Sequence, residues 1–132
     1  MLTQFTLLDD LRATCPDFAP QIDAFVALYG PRPDLPLYLL MGDLVVTCSQ
    51  RLAAGHEDGV QRLFDQIERW IATGDRYVHD LAIAGFLEDA QNANLHRGTA
   101  PADFLRFLGP RSARSWQHVQ AFWTRGMPIP RE

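Results

Sequence analysis

Apolar side chains recur at helical spacing along most of the chain. The segment Glu57–Thr73 is the clearest case, because apolar residues return every three or four positions and charged residues fill most of the others. That pattern is typical of an amphipathic helix with one face toward a core. The same criterion predicts long helices over 3–15, 18–29, 36–54, 75–95 and 111–125, and a short helix over 101–108.

Prolines and glycines separate these segments. Pro16 ends the first helix and Gly30 the second, and the loop after Gly30 has the proline-rich sequence PRPDLP. Gly55 and Gly74 close the next two helices. Because the connections are short, we expect successive helices to pack antiparallel.

The segment 36–54 is ambiguous, because its first half is apolar on almost every side. A fully covered helix and a buried strand both produce such a run. The β-branched residues within 44–47 suit a strand. We prefer the helix, since no second strand is predicted and a lone strand would leave its backbone N–H and C=O groups unpaired.

The stretch 75–94, DRYVHDLAIAGFLEDAQNAN, combines a helix signal with a dense polar cluster. Asp75 is placed to cap the helix that follows Gly74. One apolar stripe is formed by Val78, Leu81, Ala82, Gly85 and Phe86. The C-terminal half is crowded by four polar residues, Glu88, Asp89, Gln91 and Asn92. These groups either face a partner or hold neighbouring loop backbone, and the sequence leaves both interpretations open.

The same periodicity assigns inward-facing residues in the terminal helices. In the first helix these include Phe5 and Leu8. In the last helix they are Trp116, Val119, Ala121, Phe122 and Trp123. Aromatic residues at helical spacing are more often buried than exposed, so we expect these to belong to the core.

Together these elements predict an all-α fold in a single helical domain over residues 1–132. The segment GDRYVHDLAIAGFLE resembles the second helix of a HEAT-type repeat, where an Asp at a tight turn precedes a Val and a basic residue. Val78 and His79 match that Val–Arg pair, with His79 a departure. The resemblance implies antiparallel helix pairs in a short HEAT-like α-solenoid. An irregular helical bundle is the alternative.

Charge is unevenly distributed along the chain. Residues 1–110 hold fifteen acidic and eight basic side chains, whereas 111–132 hold four arginines and one glutamate. The acidic body argues against nucleic-acid binding and is compatible with a basic protein partner. No apolar run approaches the ~20 residues of a membrane span. Since the N-terminus also lacks a basic secretory segment, we expect a cytoplasmic protein.

Motifs of common chemistry are missing from the sequence. It contains no glycine-rich phosphate loop, GxSxG, HExxH or CxxC. Cys15 and Cys48 are expected to be buried thiols rather than a disulfide. Glu88, Asn92 and His96 recur at i, i+4 and i+8, but three ligands along one straight helix do not close readily around an ion. We therefore expect no catalytic residue, no metal and no cofactor.

Three segments carry a second resemblance. YLLMGDLV, GFLEDAQN and FLGPRSARSWQHVQAFW, spread over 38–123, resemble a family of small helical bacterial proteins associated with polymorphic toxin systems, in the position of immunity proteins. The resemblance implies a non-enzymatic protein that binds and neutralises one cognate toxin. Because many toxin domains that act on nucleic acid are basic, we expect an acidic contact surface. Its candidate residues are Glu88, Asp89, Asn92, Asp80 and Asp43.

Two other functions fit the same sequence. One is a HEAT-like adaptor for protein interactions, which would have several partners. The other is a small-ligand-binding or enzymatic helical domain, which would need a closed polar cleft holding at least three of Glu88, Asp89, His79 and His96. The sequence predicts no oligomeric state.

Overall fold

The computed structural model describes residues 1–130 and shows an all-α bundle, with no strand in that range. The α-helices are α1 (Leu7–Thr14), α2 (Ala19–Tyr29), α3 (Leu37–Ala53), α4 (Glu57–Thr73), α5 (Arg76–Asp80), α6 (Glu88–Ala90) and α7 (Pro110–Arg125). A π-helical segment, Leu81–Leu87, joins α5 to α6. Short 3₁₀ helices occupy Pro16–Phe18, Ala93–Leu95 and Pro101–Phe107. The all-α prediction is confirmed.

Two of the predicted helices agree closely with the structure. The bounds of α4 are those of its amphipathic stripe, and the stripe residues are buried. The ambiguous segment 36–54 is a helix, α3, so the strand alternative is wrong. Eight side chains of α3 are buried, because neighbouring helices cover it on several sides.

The helix predicted over 75–95 is divided in the structure. We call residues 76–90 (α5, the π-helical segment and α6) the central helix. Asp75 caps it, since its Oδ1 accepts the Val78 N–H at 2.9 Å. The central helix ends at Ala90 rather than Leu95. Asn92 has an extended backbone and its Oδ1 accepts the Asn94 N–H, a local bond that competes with helix continuation.

The central helix lies close to α3. A Cβ added to Gly85 would lie 3.1 Å from Met41 Cγ and 3.3 Å from Tyr38 Cδ1, so only glycine allows this approach without adjustment. Farther along, a Cβ added to Gly42 would lie 3.5 Å from Asp89 Oδ2. Since residue numbers rise together in both helices, they run in the same direction. Gly85 therefore permits the close packing of the central helix on α3.

The start of the first helix differs from the prediction. It begins at Leu7 rather than at residue 3. Threonine hydroxyls bind backbone N–H groups before Leu7, because Thr3 Oγ1 accepts the Phe5 N–H and Thr6 Oγ1 accepts the Thr3 N–H. These bonds compete with helix formation. Phe5 is 69% exposed, so its predicted inward position is wrong.

The last helix is also only partly inward-facing. Trp116 and Val119 are buried as predicted. Phe122 and Trp123 are 41% and 59% exposed, so their assignment to the core is wrong. They contact each other edge to face, with ring centroids 5.7 Å apart, in the final turns of α7.

Two other expectations can be compared with the described residues. Cys15 and Cys48 are free and buried, as predicted, and burial raises the pKa of both thiols. Over residues 1–130, no helix combines the length and apolar character that crossing a membrane requires.

Candidate functional site

Four carboxylates lie on the two helices that approach each other, three on the central helix and one on α3. Glu88 and Asp89 begin α6, and Asp43 lies on α3 directly after Gly42, the residue that approaches Asp89. Asp80 lies at the end of α5, and its negative charge reaches Tyr38, as does that of Glu88. We call Asp43, Asp80, Glu88 and Asp89 the acidic surface.

Three of these carboxylates have no partner within residues 1–130. Asp43, Glu88 and Asp89 accept no side-chain hydrogen bond and form no ion pair, whereas Asp80 pairs with Arg76 at 3.4 Å. Burial raises the pKa of Asp43 and of Glu88. Burial, together with the neighbouring charge of Glu88, raises the pKa of Asp89 to about 6.

Most other carboxylates near the helix interfaces are compensated. Ion pairs join Asp10 to Arg69, Asp17 to Arg62, Asp23 to Arg12 and Glu57 to Arg106. A carboxylate that loses water and gains no partner disfavours the folded state. The acidic surface therefore costs stability, and such a cost is common where a group serves binding rather than folding.

An aromatic residue lies beside these carboxylates. Tyr38 packs edge to face on Tyr77, with ring centroids 6.1 Å apart, and remains partly exposed. Burial, then the charge of Asp80, raises the pKa of Tyr38. Leu39 next to it is exposed. Sequence analysis missed both residues, because they belong to the apolar run of α3 and only the packed structure shows which side is left uncovered.

Replacing Asp89 by asparagine should stabilise the fold in a pH-dependent way. The pKa of Asp89 rises from 3.8 to about 6 on folding, so the folded state holds the proton more tightly and wild-type stability falls as pH rises through this window. Above it, we expect Asp89→Asn to gain about 1 kcal/mol. That is below the ~3 kcal/mol expected for a fully buried carboxyl with this shift, because solvent screens a partly exposed group.

Urea unfolding of Asp89→Asn and wild type at about pH 7.5 and about pH 4 measures this difference. The gain should be much smaller at the lower pH, where the carboxyl is protonated in the folded state and nearly half protonated in the unfolded state. Asp58→Asn, which removes an exposed carboxylate of α4, is the matched control and should show no gain at either pH. An equal gain at both values would mean that charge desolvation is not the cause.

The two amides of the polar cluster hold backbone. Gln91 Nε2 donates to the Trp116 carbonyl at 2.8 Å, which ties the end of the central helix to α7. Asn92 Oδ1 accepts the Asn94 N–H at 3.0 Å. The predicted bond to loop backbone is found for Asn92, whereas Gln91 binds the backbone of helix α7. Asn92 is exposed beyond the end of the central helix, and its role in partner contact stays a prediction.

His96 belongs to a buried chain of hydrogen bonds. Its Nε2 lies 2.8 Å from the Ala90 carbonyl, so Nε2 carries the donated proton. Nδ1 is then free to accept from Thr99 Oγ1, also at 2.8 Å. Thr99 Oγ1 lies 2.6 Å from Ser49 Oγ, which accepts the Arg97 N–H at 2.6 Å. This chain fixes the loop after the central helix onto α3.

The structure places His79 and Asp80 in one cleft beside Tyr38, but it does not bring them together there with Glu88, Asp89 or His96. His79 is buried, with Nδ1 2.9 Å from the Ile71 carbonyl. It lines two clefts, and neither includes Glu88, Asp89 or His96. Within the described part of the chain, no three His, Cys, Asp or Glu residues are grouped to hold a metal ion.

One comparison with known proteins finds a match. The model of a family described as a domain of unknown function, DUF7674, matches residues 8–124. No curated protein and no solved structure matches the chain. The matched range includes all four carboxylates of the acidic surface and most of α7.

Proposed function

The chain belongs to the DUF7674 family, and we propose that it is an immunity protein that binds and neutralises a cognate bacterial toxin domain without catalytic turnover. The observation that carries this proposal is the set of unpartnered carboxylates at Asp43, Glu88 and Asp89, of which Glu88 and Asp89 are partly buried and Asp43 is exposed. The resemblance of GFLEDAQN and its flanking segments to immunity proteins gives the class of partner.

A basic protein surface suits these carboxylates energetically. Part of their desolvation cost is already present in the free protein, so less remains to be added when an arginine or lysine covers them. The new ion pair also lowers the pKa of Asp89 again, which favours binding at neutral pH. Tyr38 and Leu39 add an exposed aromatic and aliphatic contact at the margin of the same surface.

The partner to test is the C-terminal domain of a large secreted protein, where the adjacent gene encodes one. Co-expression with this chain should restore the growth of cells that make the toxin domain. Calorimetry should show that Glu88→Gln and Asp89→Asn each weaken binding by about tenfold, since each removes a charge from a desolvated ion pair.

Asp58→Asn has the same change in net charge and should retain wild-type affinity and protection. Melting temperatures distinguish the loss of a binding contact from a loss of folded protein. Asp89→Asn should lose affinity while its melting temperature stays the same or rises. Wild-type affinity in both acidic-surface variants would remove the proposed contact. Failure of the wild-type chain to rescue growth or to bind would remove the immunity function.

The adaptor alternative uses a protein-binding surface in a different way. A HEAT-like adaptor should co-purify with several proteins that bind independently of one another. An immunity protein should instead form one complex of fixed composition with its toxin. Mass determination of the purified complex distinguishes these two outcomes.

A further inference from the structure

The chain turns back onto the central helix after α7. Gly126 ends α7 in the left-handed conformation that favours glycine, with φ 67°. The next N–H, that of Met127, bonds the Ala121 carbonyl at 3.4 Å, so the chain reverses instead of continuing along the helix axis. Because α7 packs on the π-helical segment, this reversal directs residues 127–130 toward the same segment. We call residues 127–130 the strap.

One side chain of the strap contacts the core of the bundle. Ile129 is partly buried and packs against the core, whereas Met127, Pro128 and Pro130 are exposed. The prolines on either side of Ile129 have a fixed φ and favour extended backbone in the residues that precede them. The sequence Pro-Ile-Pro therefore loses little conformational entropy when Ile129 docks.

The strap occupies one side of a cleft of about 310 Å³, which we call the strap cleft. Besides Ile129 and Pro130, its lining residues are Tyr38 of α3 and His79, Asp80, Ile83 and Ala84 of the central helix. These four positions of the central helix recur at helical spacing, so the strap cleft follows one face of that helix.

The strap cleft and the acidic surface share residues. Asp80 belongs to both, and Tyr38 forms a wall of the strap cleft as well as the margin of the acidic surface. Tyr38 is 41% exposed with the strap in place. A partner that covers the acidic surface as far as Tyr38 therefore meets the strap.

The strap is weakly held in this position. A single partly buried aliphatic side chain favours docking, and the ordering of four terminal residues opposes it. Chain ends with few buried apolar contacts are the first segments of a domain to open. Docked and released straps therefore coexist in solution, and a ligand that binds only the released form shifts the population toward it.

We propose that the strap is a displaceable cover, in which Ile129 occupies the place that an aliphatic side chain of the toxin domain takes when that domain binds the acidic surface. This inference rests on the proposed immunity function and adds a regulation of the same surface. Ile83 and Ala84 supply the apolar contact for the incoming side chain, and Asp80 at the edge favours a basic residue beside it.

Limited proteolysis of the free protein tests whether the strap is docked. Ile129→Gln removes the apolar contact and should speed trypsin cleavage after Arg125 by about fivefold, because cleavage follows the population of the released strap. Mass spectrometry identifies the cleaved bond. Met127→Gln changes an exposed apolar residue of the same strap, so it is the matched control and should be cleaved at the wild-type rate.

Calorimetry with the toxin domain tests whether the strap is displaced. Wild-type affinity is reduced by the fraction of molecules whose strap is docked, so Ile129→Gln should bind the toxin domain about fivefold more tightly. The increase in affinity should equal the increase in cleavage rate, since both measure the released fraction. Met127→Gln should retain wild-type affinity. Glu88→Gln and Asp89→Asn should weaken toxin binding and leave the cleavage rate unchanged.

Four outcomes would overturn the proposal. Equal cleavage of Ile129→Gln and wild type would show that the strap is not docked. Faster cleavage with unchanged or weaker toxin affinity would show that the strap does not cover the contact surface. A wild-type dimer in sedimentation equilibrium that Ile129→Gln dissociates would show that the strap binds a second copy of the chain. If neither wild type nor Ile129→Gln binds the toxin domain, the immunity function fails and this inference fails with it, whatever the cleavage rates.

Discussion

Replacing Phe86 by alanine should lower the free energy of unfolding by about 3–5 kcal/mol, a large fraction of the stability of a domain of this size. Phe86 lies in the π-helical segment and is completely buried. Its ring packs edge to face on Phe64, with centroids 5.2 Å apart. Phe64 in turn packs on Phe104 and Phe107, so the cavity would open at the centre of one aromatic cluster.

Urea denaturation followed by far-UV circular dichroism measures the loss. Phe5→Ala removes the same side chain from an exposed position and should change stability by less than ~0.5 kcal/mol. A similar loss for both variants would show that the central helix does not direct Phe86 into the core. Intact helicity for Phe86→Ala in the absence of urea would confirm that the variant is compared in its folded state.

Periodicity predicts a helix well where one face is covered and the other is not. The stripe of α4 has this property, and its bounds follow directly from the sequence. The π-helical winding of Leu81–Leu87 gives no comparable signal. Nearly all of its residues are buried and apolar. An α-helix and the wider π-helix would therefore both direct apolar side chains into the core, and the sequence does not distinguish them.

The ends of elements depend on local bonds that periodicity ignores. The sequence of 75–95 continues to look helical past Ala90, but the side chain of Asn92 bonds the following backbone and the helix stops. The hydroxyls of Thr3 and Thr6 likewise bind backbone N–H groups, and α1 begins only at Leu7. Short polar side chains near a predicted helix end are therefore the signal that would have corrected both bounds.

The candidate site was only partly predictable. The adjacency of Glu88 and Asp89 is visible in the sequence, but the nearness of Gly42 to Asp89 depends on how α3 meets the central helix. The lack of partners for these carboxylates is likewise a tertiary property. Trp123 was assigned to the core because aromatic residues usually lie there, but it is 59% exposed in the final turns of α7.

Replacing Glu68 by alanine should cost about 2–4 kcal/mol, because this side chain caps α7 from another helix. Its carboxylate accepts the Arg111 N–H at 3.0 Å and the Ser112 N–H and Oγ–H at 2.8 Å each. These two N–H groups belong to the first turn of α7, where no carbonyl of the same helix can reach them. A Cβ on Gly109 would lie 2.6 Å from Glu68 Oε1, so glycine is needed beside the cap.

The stability lost in Glu68→Ala should depend on pH, because the cap requires the ionised carboxylate of Glu68. Burial alone raises the pKa of Glu68, but the hydrogen bonds from Ser112 and Arg111 outweigh it and lower the pKa below the ordinary value of 4.5. The ionised cap therefore stabilises the fold above about pH 4.5, and this contribution is lost as pH falls through the lowered pKa. Urea unfolding at neutral pH should show the full difference between Glu68→Ala and wild type, and the difference should shrink in acid.

Two variants distinguish this cap from an ordinary surface charge. Glu57→Ala, at the other end of α4, breaks the exposed ion pair with Arg106 and should cost much less stability than Glu68→Ala. Glu68→Gln keeps an acceptor without the charge and should lie between wild type and Glu68→Ala. Equal losses of stability for Glu57→Ala and Glu68→Ala would contradict the capping role.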